Sequence, residues 1–576
     1  MSSSKSAFKG RTVGIDFGTS TISVAYSVDR GDGTAEITTV NLSGKSPLMP
    51  SRVEKSGDKF VFGEFASNYL PDGSIKAQLT SWDRGTSEKF VFSVGGAEED
   101  GLRFLTELLE EVVKRARENS KISDLAGKDD VVYLCCPASW GRRARRILFE
   151  SAKGAGLNVK SYRQLIDEPV AAGWHVLSDP QSKNERVLVF DAGGGTVDVA
   201  LLSATSRNGA ERRVITVVNA DAIPESGDKS DEVFAQKMSA ALGREILPQE
   251  AEQAKKNLSV EMKTTVPFSA TRENFEDAYL SIFENHVRML GKSYQKALLT
   301  EMDLAEVATG GRPTNMSGSV ARSYRFNDLE VAEKSMTDAP RAFEKIRLTG
   351  GMAHIPFVAK SLRQIFPNVD VAVVDDPQLA VCRGLTQMKP TTWMNGSRLP
   401  IALRARWSVK GLSDDQVASQ YPELKTWMEV QQKIDLLEPH CDPWRGAVGQ
   451  EMSFGQIKEI ETPPAERFPN EQNWEFILEI QAKDESGNPV SVSLPNGGSI
   501  QVSHRSRRPA TIKLLASRQI VVAGSKGERF MGEVAWSVGG DLRVEMGQLI
   551  DPSAPLPWPY LEGAASNIKD PLPSRK

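Results

Sequence analysis

The sequence predicts an α/β protein built in two successive halves and followed by a β-rich module. Three observations lead there. Two segments resemble each other, VGIDFGTSTISVAYS at 13–27 and VLVFDAGGGTVDVALL at 187–202, each an apolar strand, an Asp-x-Gly turn and a second β-branched strand. Helical periodicity follows each of them. After Gly384 the texture changes, first to a Pro-punctuated stretch and then to short strands between turn signals.

Taken in order, the first pair is strand–turn–strand, which differs from the strand–turn–helix of a P-loop. The triplets Gly44-Lys45-Ser46 and Gly291-Lys292-Ser293 have Thr39 and His286 five residues before them, so neither completes GxxxxGK[ST]. GLRFLTELLEEVVKRARENS at 101–120 carries leucine and valine at helical spacing, and FEDAYLSIFENHVRMLGKSYQKALL at 275–299 does the same in the second half. A linker is expected over 389–412, around Pro390 and Pro400. A helix should then open at Ser413, with Gln416 in the capping-box position.

Between Trp474 and Ile550 five strand-rich segments alternate with turn signals, of which Pro-Asn-Gly-Gly and Val-Gly-Gly-Asp suit hairpins. The Pro-rich tail beyond Asp551 is expected to be extended or disordered. The division so predicted is 1–388, 389–412, 413–550 and 551–576.

Composition excludes several classes. The chain has 576 residues with 71 Lys plus Arg against 75 Asp plus Glu, 40% hydrophobic and 25% charged, an ordinary globular balance. Its net charge of -4 argues against a chain-wide nucleic-acid footprint. The basic clusters Arg142–Arg146 and His504–Arg508 could touch phosphates or an acidic partner, but read better as a solvated helix face and a solvated loop. No apolar run approaches the ~18 residues that span a bilayer, and MSSSKSAFKG lacks the apolar stretch of a secretory signal. Of four cysteines, Cys135 and Cys136 are adjacent and cannot close an unstrained disulfide. A reducing, cytoplasmic location is expected. His440-Cys441-Asp442 has no partner cluster at metal-ligand spacing and reads as incidental.

The chemistry-bearing residues form four groups. Polyphosphate is gripped by backbone N–H groups that come very near it, which requires glycine or small hydroxyl residues in a tight turn. Gly18-Thr19-Ser20-Thr21 and Gly193-Gly194-Gly195-Thr196 supply two such turns. Each follows a carboxylate, Asp16 or Asp191, and two carboxylates across a cleft can hold a largely hydrated Mg²⁺ against phosphate oxygens. The third group is IRLTGGMAHIPFVAKSLRQIF at 346–366, a strand, a Gly350-Gly351 turn and a helix with Pro356 near its first position. Such an N-terminus favours a ribose or an α-phosphate. In the fourth, Glu252, Lys255, Lys256 and Ser259 lie on one helical face that could hold adenine and its ribose. Taken singly, each of the two turns reads more readily as a glycine-rich hairpin, and the fourth group as a solvated charged face.

In this order the four resemble the heat-shock-70 (DnaK-like) chaperones of the actin/hexokinase/sugar-kinase superfamily. The resemblance covers about residues 10–388. It rests on IDFGTS, FDAGGGTVD, LTGGMAHIP, the connecting segment LIDEPVAAG at 165–173, and VVYLCCPASWGRRARR followed by AGLNV. It implies an actin-like, two-lobed ATPase domain that binds ATP or ADP with Mg²⁺, and with K⁺ as a further candidate ion. Carried over position by position, it places the metal-linked carboxylates at Asp16 and Asp191 and further acidic groups at Glu168 and Asp198. Thr19 and Thr196 would meet the γ-phosphate. The catalytic lysine, which follows the GEFAS segment at 63–67, becomes Lys76. Hydrolysis needs an in-line water and neutralisation of spreading charge, so Lys76 with Mg²⁺ would supply positive charge while Asp191, Asp198 or Glu168 orients the water. Pro137 and Arg145 match the relay that reports nucleotide state to a substrate domain.

The chain also departs from the family. LTQMKPTTWM stands where an acidic, leucine-rich linker is expected. Gln164 replaces the arginine presented to J-domain co-chaperones, although Arg163 adjoins it. SGDKSDEVFAQKM at 226–238 occupies the place of a Gly-Gly phosphate turn, and Lys256 stands where arginine is commoner. The C-terminal strands fit a β substrate-binding module, yet they do not align residue by residue and no long helical lid follows.

The expected function is therefore a slowly hydrolysing, ATP-switched chaperone. It would engage a protein client or partner through its C-terminal module, with a J-domain protein and a nucleotide exchange factor as the co-factors the resemblance brings. An ATP-switched scaffold or filament-forming protein is the alternative. A small-molecule kinase is disfavoured, because Lys76 and the second hairpin suit water as acceptor.

Overall fold

The computed structural model of the chain describes residues 10–29, 35–66, 74–160, 164–177, 185–206, 213–308, 343–388, 393–395, 401–409 and 411–422, and nine short strands between 434 and 548. It forms two compact units, one of residues 1–295 and 324–394, the other of 296–323 and 395–576.

The first unit carries two sheets. In the first, β1 (Arg11–Phe17) and β2 (Thr21–Asp29) pair antiparallel around the first glycine turn. On the far side of β2 lie β3 (Ala35–Val40) and the short β4 (Met49–Pro50). Against β1 lies β5 (Val131–Cys136), followed by β6 (Leu165–Asp167), both parallel. The second sheet repeats the plan. β7 (Glu185–Ala192) and β8 (Val197–Ser206) form the second hairpin, β9 (Arg213–Ile223) extends it beyond β8, and β10 (Lys345–Thr349) and β11 (Asp370–Val373) run parallel to β7. Both Asp-x-Gly segments thus lie on central strands, at the ends where the chain reverses. This α/β architecture, with a β-rich region after it, is the predicted fold class.

The helices form where their apolar stripes can be buried. Around the first sheet stand α1 (Ile75–Arg84), α2 (Gly101–Ser120) and α3 (Arg142–Gly154). In α2 the stripe is Phe104, Leu105, Leu108, Leu109, Val112 and Val113, all buried. Its first turn is capped by the Asp100 carboxylate, which accepts from the Arg103 N–H at 2.8 Å. The sequence LIDEPVAAG becomes β6 and the start of α4 (Glu168–Leu177), so Glu168 opens a helix. The second half adds α5 (Gly227–Leu242), α6 (Pro248–Val260), α7 (Arg272–Ala308), α8 (Pro356–Ile365) and α9 (Ala380–Gln387).

One core lies between the first sheet and α1–α3. A second joins Tyr133, Ile166, Ala171 and Trp174 to Val187, Val189, Leu202 and Leu385. In this second core α4 crosses α9 at very short range. A methyl group on Gly384 would stand 1.7 Å from the Ala171 carbonyl oxygen, so only glycine lets the two backbones approach.

In the second unit α10 (Asp414–Gln420) opens as expected, with the Ser413 hydroxyl accepting from Gln416 N–H and the Gln416 amide from Ser413 N–H. The ten-stranded sheet contains the expected C-terminal strands together with two that the sequence reading passed over, Ile434–Leu437 and Ile457–Ile460.

Two expectations are corrected. The predicted linker holds a nine-residue strand, Ile401–Val409, paired antiparallel with Glu475–Asp484; the alternation of Ile401, Leu403, Ala405, Trp407 and Val409 with smaller or charged residues is a strand pattern. The segments flanking Pro-Asn-Gly-Gly do not form a hairpin with each other. Ile500–Ser503 pairs with Glu475–Leu478, while Pro489–Ser493 meets Ala482 and Lys483 and runs parallel to Arg543–Glu545. The ten-residue strand Glu475–Asp484 is long enough to take both segments end to end along one edge. The Val-Gly-Gly-Asp hairpin does form, with Trp536 opposite Leu542. Pro390, Pro400, His440–Asp442, His504–Arg508, residues 309–342 and the Pro-rich tail lie outside the described residues.

Candidate functional site

A cleft of 320 Å³ in the first unit is lined by both glycine turns, by the α6 face and by the segment after β10. Of the residues singled out in the sequence, Asp16, Gly18, Thr19, Ser20, Thr21, Glu168, Asp191, Gly193, Gly194, Thr196, Glu252, Lys255, Lys256, Ser259, Gly350 and Gly351 all line it. These residues come from widely separated parts of the chain. The shared wall reflects the repeated sheet plan, which turns the ends of β1 and β7 toward one space.

The two turns face each other closely. A methyl group on Gly194 would stand 1.8 Å from Ser20 Oγ, and one on Gly195 would stand 2.5 Å from Thr19 Cγ2. The first turn is braced by Ser51, whose hydroxyl donates to the Gly18 carbonyl at 2.8 Å and whose N–H donates to the Ser20 carbonyl at 2.9 Å. Bracing of the second turn comes from the start of α5. Ser226 Oγ donates to the Gly193 carbonyl at 2.7 Å, and the Gly227 and Asp228 N–H groups donate to the Gly193 and Gly194 carbonyls at 3.3 and 2.6 Å. The segment that departs from the family's Gly-Gly turn thus holds the second hairpin in place, and it brings the Asp228 carboxylate into the cleft wall.

Below the turns lies a cluster of buried carboxylates. Burial, and then the neighbouring Glu168, raise the Asp16 carboxyl to about 6. Burial with Glu168 and Asp16 raises Asp191 to about 8. Asp198 is pushed well above the ordinary range by burial and Glu168, although it accepts from the Ala138 N–H at 2.8 Å. Among these groups Lys76 is the cation. It is 2% exposed and ion-paired with Glu168. Burial alone would lower its pKa, but the neighbouring carboxylates, Glu168 first and also Asp16, raise it instead.

Lys76 and Asp198 are not part of the cleft wall, nor is Gly195. Lys76 reaches the site through Glu168, and Asp198 reaches it through Thr196 and the carboxylate cluster. The donor set fits a hard, hydrated divalent cation, since carboxylates converge there and their charged forms are disfavoured first by burial and then by one another. Among the described residues no three His, Cys, Asp or Glu side chains form a closed ligand cage. Asp16 and Asp191 are the carboxylates at the two turns that could hold such an ion.

At the other end, Lys255 pairs with Asp231 on α5 at 2.7 Å, and Lys256 pairs with Glu252 at 2.7 Å. The Gly350 turn leads into a short 3₁₀ turn, Gly351–His354. This 3₁₀ turn and Ile355 line the cleft, while Pro356 begins α8 just behind it. Sequence reading missed Asp228, Asp231, Met352, His354 and Gln378. The first two were visible only as a departure from a family turn, and Gln378 had no motif to mark it.

Pro137 and Arg145 lie away from the cleft wall. Arg145 is 2% exposed, ion-paired with Asp167, and donates to the Trp140 carbonyl at 3.0 Å and the Pro137 carbonyl at 3.5 Å. The reading of Arg142–Arg146 as a solvated face is corrected for this arginine. The helix turn that carries it packs inward, and the buried Asp167 supplies its counter-charge. Arg143 is not free either, since its guanidinium stacks 4.2 Å from the Trp82 ring centre.

A family model described as MreB/Mbl protein matches residues 99–271. The chain is similar to the chaperone protein DnaK of Thermotoga petrophila and of Thermotoga neapolitana, each 28% identical over 397 residues, which cover 65% of this chain and 58% of the relative. The chaperone protein DnaK of Thermosipho melanesiensis is 28% identical over 405 residues, 66% of this chain and 59% of the relative. The match thus spans under two thirds of these curated relatives. The resemblance drawn from the motifs is borne out at the level of the actin-like ATPase superfamily. Among the described residues no helix is long and apolar enough to cross a membrane.

Proposed function

We propose that the chain is a heat-shock-70-like chaperone ATPase that binds ATP in this cleft, hydrolyses it slowly to ADP and phosphate, and uses the change to switch its hold on a protein client or partner. The observation that carries this reading is that two opposed glycine turns, a carboxylate cluster and the α6 face share one cleft. Backbone N–H groups of Gly18–Thr21 and Gly193–Thr196 would grip the phosphates. The α6 face with the Gly350–Ile355 segment would take the nucleoside. A bound Mg²⁺ would neutralise charge on the phosphates, held by Asp16 and Asp191. Asp191, Asp198 or Glu168, the last ion-paired with Lys76, would orient the attacking water, and Thr19 and Thr196 would steady the terminal phosphate.

In this reading residues 1–388 form the ATPase domain, and the β-rich region beyond 413 is where the client or partner binds. Pro137 and Arg145 would relay nucleotide state, because the loop between them touches Asp198 through Ala138 N–H. A cytoplasmic protein follows from the same reading. K⁺ and a nucleotide exchange factor stay within it. J-domain stimulation fits it poorly. The Gln164 side chain accepts from Lys160 N–H at 2.6 Å and donates to the Val132 and Asn158 carbonyls at 2.8 and 2.9 Å, which leaves little of it to present.

The MreB/Mbl match over residues 99–271 favours one second reading, an ATP-switched scaffold that assembles with copies of itself. One experiment separates the two. Mg²⁺-dependent ATP turnover is measured with and without extended hydrophobic peptides, alongside sedimentation in ATP. Turnover that rises with peptide supports the chaperone, and an ATP-dependent sedimenting polymer supports the scaffold. Absence of Mg²⁺-nucleotide binding would sink both.

A further inference from the structure

The carboxylate Asp16 has a neighbour that the reaction scheme above does not use. Cys135, on β5 directly beside β1, is fully buried, and its Sγ lies 3.0 Å from Asp16 Oδ1 and 3.9 Å from Glu168 Oε1. The Phe17 N–H points at the same sulfur, at 3.3 Å. That N–H can only donate, so the sulfur accepts from it and its own proton is directed elsewhere. Asp16 as a carboxylate has no proton to give, so the thiol is the donor in the 3.0 Å contact. The sulfur therefore links the backbone just after Asp16 to the Asp16 side chain and closes a short ring around that residue.

We propose that Cys135 is a positioning residue for the divalent cation. By holding one carboxylate oxygen of Asp16 through S–H···O, it fixes the side-chain rotamer and leaves the other oxygen for the ion and its water. Cys136, the next residue on the strand, serves as an internal control. It is equally buried, and its Sγ faces the Ile166 carbonyl at 3.7 Å. A packing role would be shared by both thiols, whereas a positioning role belongs to Cys135 alone. The inference rests on the ATPase reading of the site.

The test has two readouts. The first is the infrared S–H stretching band of the full chain, which needs no turnover. Wild type should show a band at lowered frequency that is lost in Cys135→Ala, kept in Cys136→Ala and moved in Asp16→Asn. The second is the Mn²⁺ or Mg²⁺ concentration for half-maximal ATP turnover. It should rise about three- to tenfold in Cys135→Ala with little change in the nucleotide KM, return toward wild type in Cys135→Ser, and stay unchanged in Cys136→Ala. An S–H band indifferent to Asp16→Asn would overturn the inference whatever the activity, as would turnover in Cys135→Ala with an unshifted metal midpoint. Equal shifts in Cys135→Ala and Cys136→Ala would mean packing alone and would overturn it too. If wild type neither binds nor turns over Mg²⁺-nucleotide, the ATPase reading fails, and the inference falls with it.

Discussion

Lys76 is the residue whose role depends most on its surroundings. In the sequence it is one lysine in SIKAQL; in the structure it is buried and balances Glu168 amid Asp16, Asp191 and Asp198. Removing it should slow turnover on the order of 10² or more while Mg²⁺-nucleotide still binds. It should also lower the melting temperature, because Glu168 is left without its cation. Lys76→Ala combined with Glu168→Gln should recover much of the melting temperature and none of the turnover. Recovery of turnover in the pair would assign Lys76 to structure alone. The carboxylates also set a pH dependence. Native Asp16 and Asp191 keep protons to about 6 and about 8, whereas the unfolded chain has released them near 4. The native state therefore binds more protons across that range, and without a divalent cation this cluster costs stability as pH rises from about 4 to about 8. Added Mg²⁺ should raise the melting temperature more at pH 8 than at pH 6, and an equal effect at both would count against the cluster as the metal site. His286 acts at the other end. Burial, despite its hydrogen bond to the Glu225 carbonyl, holds it down to about 4, so its contribution is lost as pH falls from about 6.5 toward 4.

At the scale of elements, the two glycine turns were legible because their need for small residues is written into the chain, as was α2 through its periodicity. Their mutual approach was not legible. Gly194→Ala should leave both hairpins paired but place a methyl group against Ser20 Oγ, and nucleotide affinity should fall about tenfold or more. Adding Ser20→Gly should restore part of it, and isothermal titration with ADP and Mg²⁺ on the three proteins would decide; no rescue would mean the turns do not meet in solution. The start of α5 carries a similar lesson. Its sequence read as the loss of a phosphate turn, yet its N–H groups and Ser226 hold the second hairpin. Backbone donors have no sequence signature of their own, so only the fold could reveal where these are used.

Over the whole molecule, the reading proposed above expects ATP to draw the two sheets of the first unit closer and to protect the turns between β1 and β2 and between β7 and β8. A ligand moves such an equilibrium only by its differential affinity for the two states. Because LTQMKPTTWM replaces the family's acidic, leucine-rich linker, amide exchange with and without ATP should change strongly at those turns and weakly across residues 475–548. Strong ATP-dependent exchange changes in the C-terminal strands, or several-fold acceleration by a J-domain protein, would overturn this. The sequence by itself determined the α/β class, the two Asp-x-Gly hairpins, the α6 face and the capping box at Ser413, because each is a local pattern of side-chain type and spacing that chain geometry must obey. Only the tertiary structure decided that these patterns share one cleft, that Lys76 is balanced by Glu168 and Arg145 by Asp167, that Cys135 touches Asp16, and that Ile401–Val409 is a strand in a sheet. Those facts depend on residues far apart in the chain, whose burial and repulsion arise only once the backbone has brought them together.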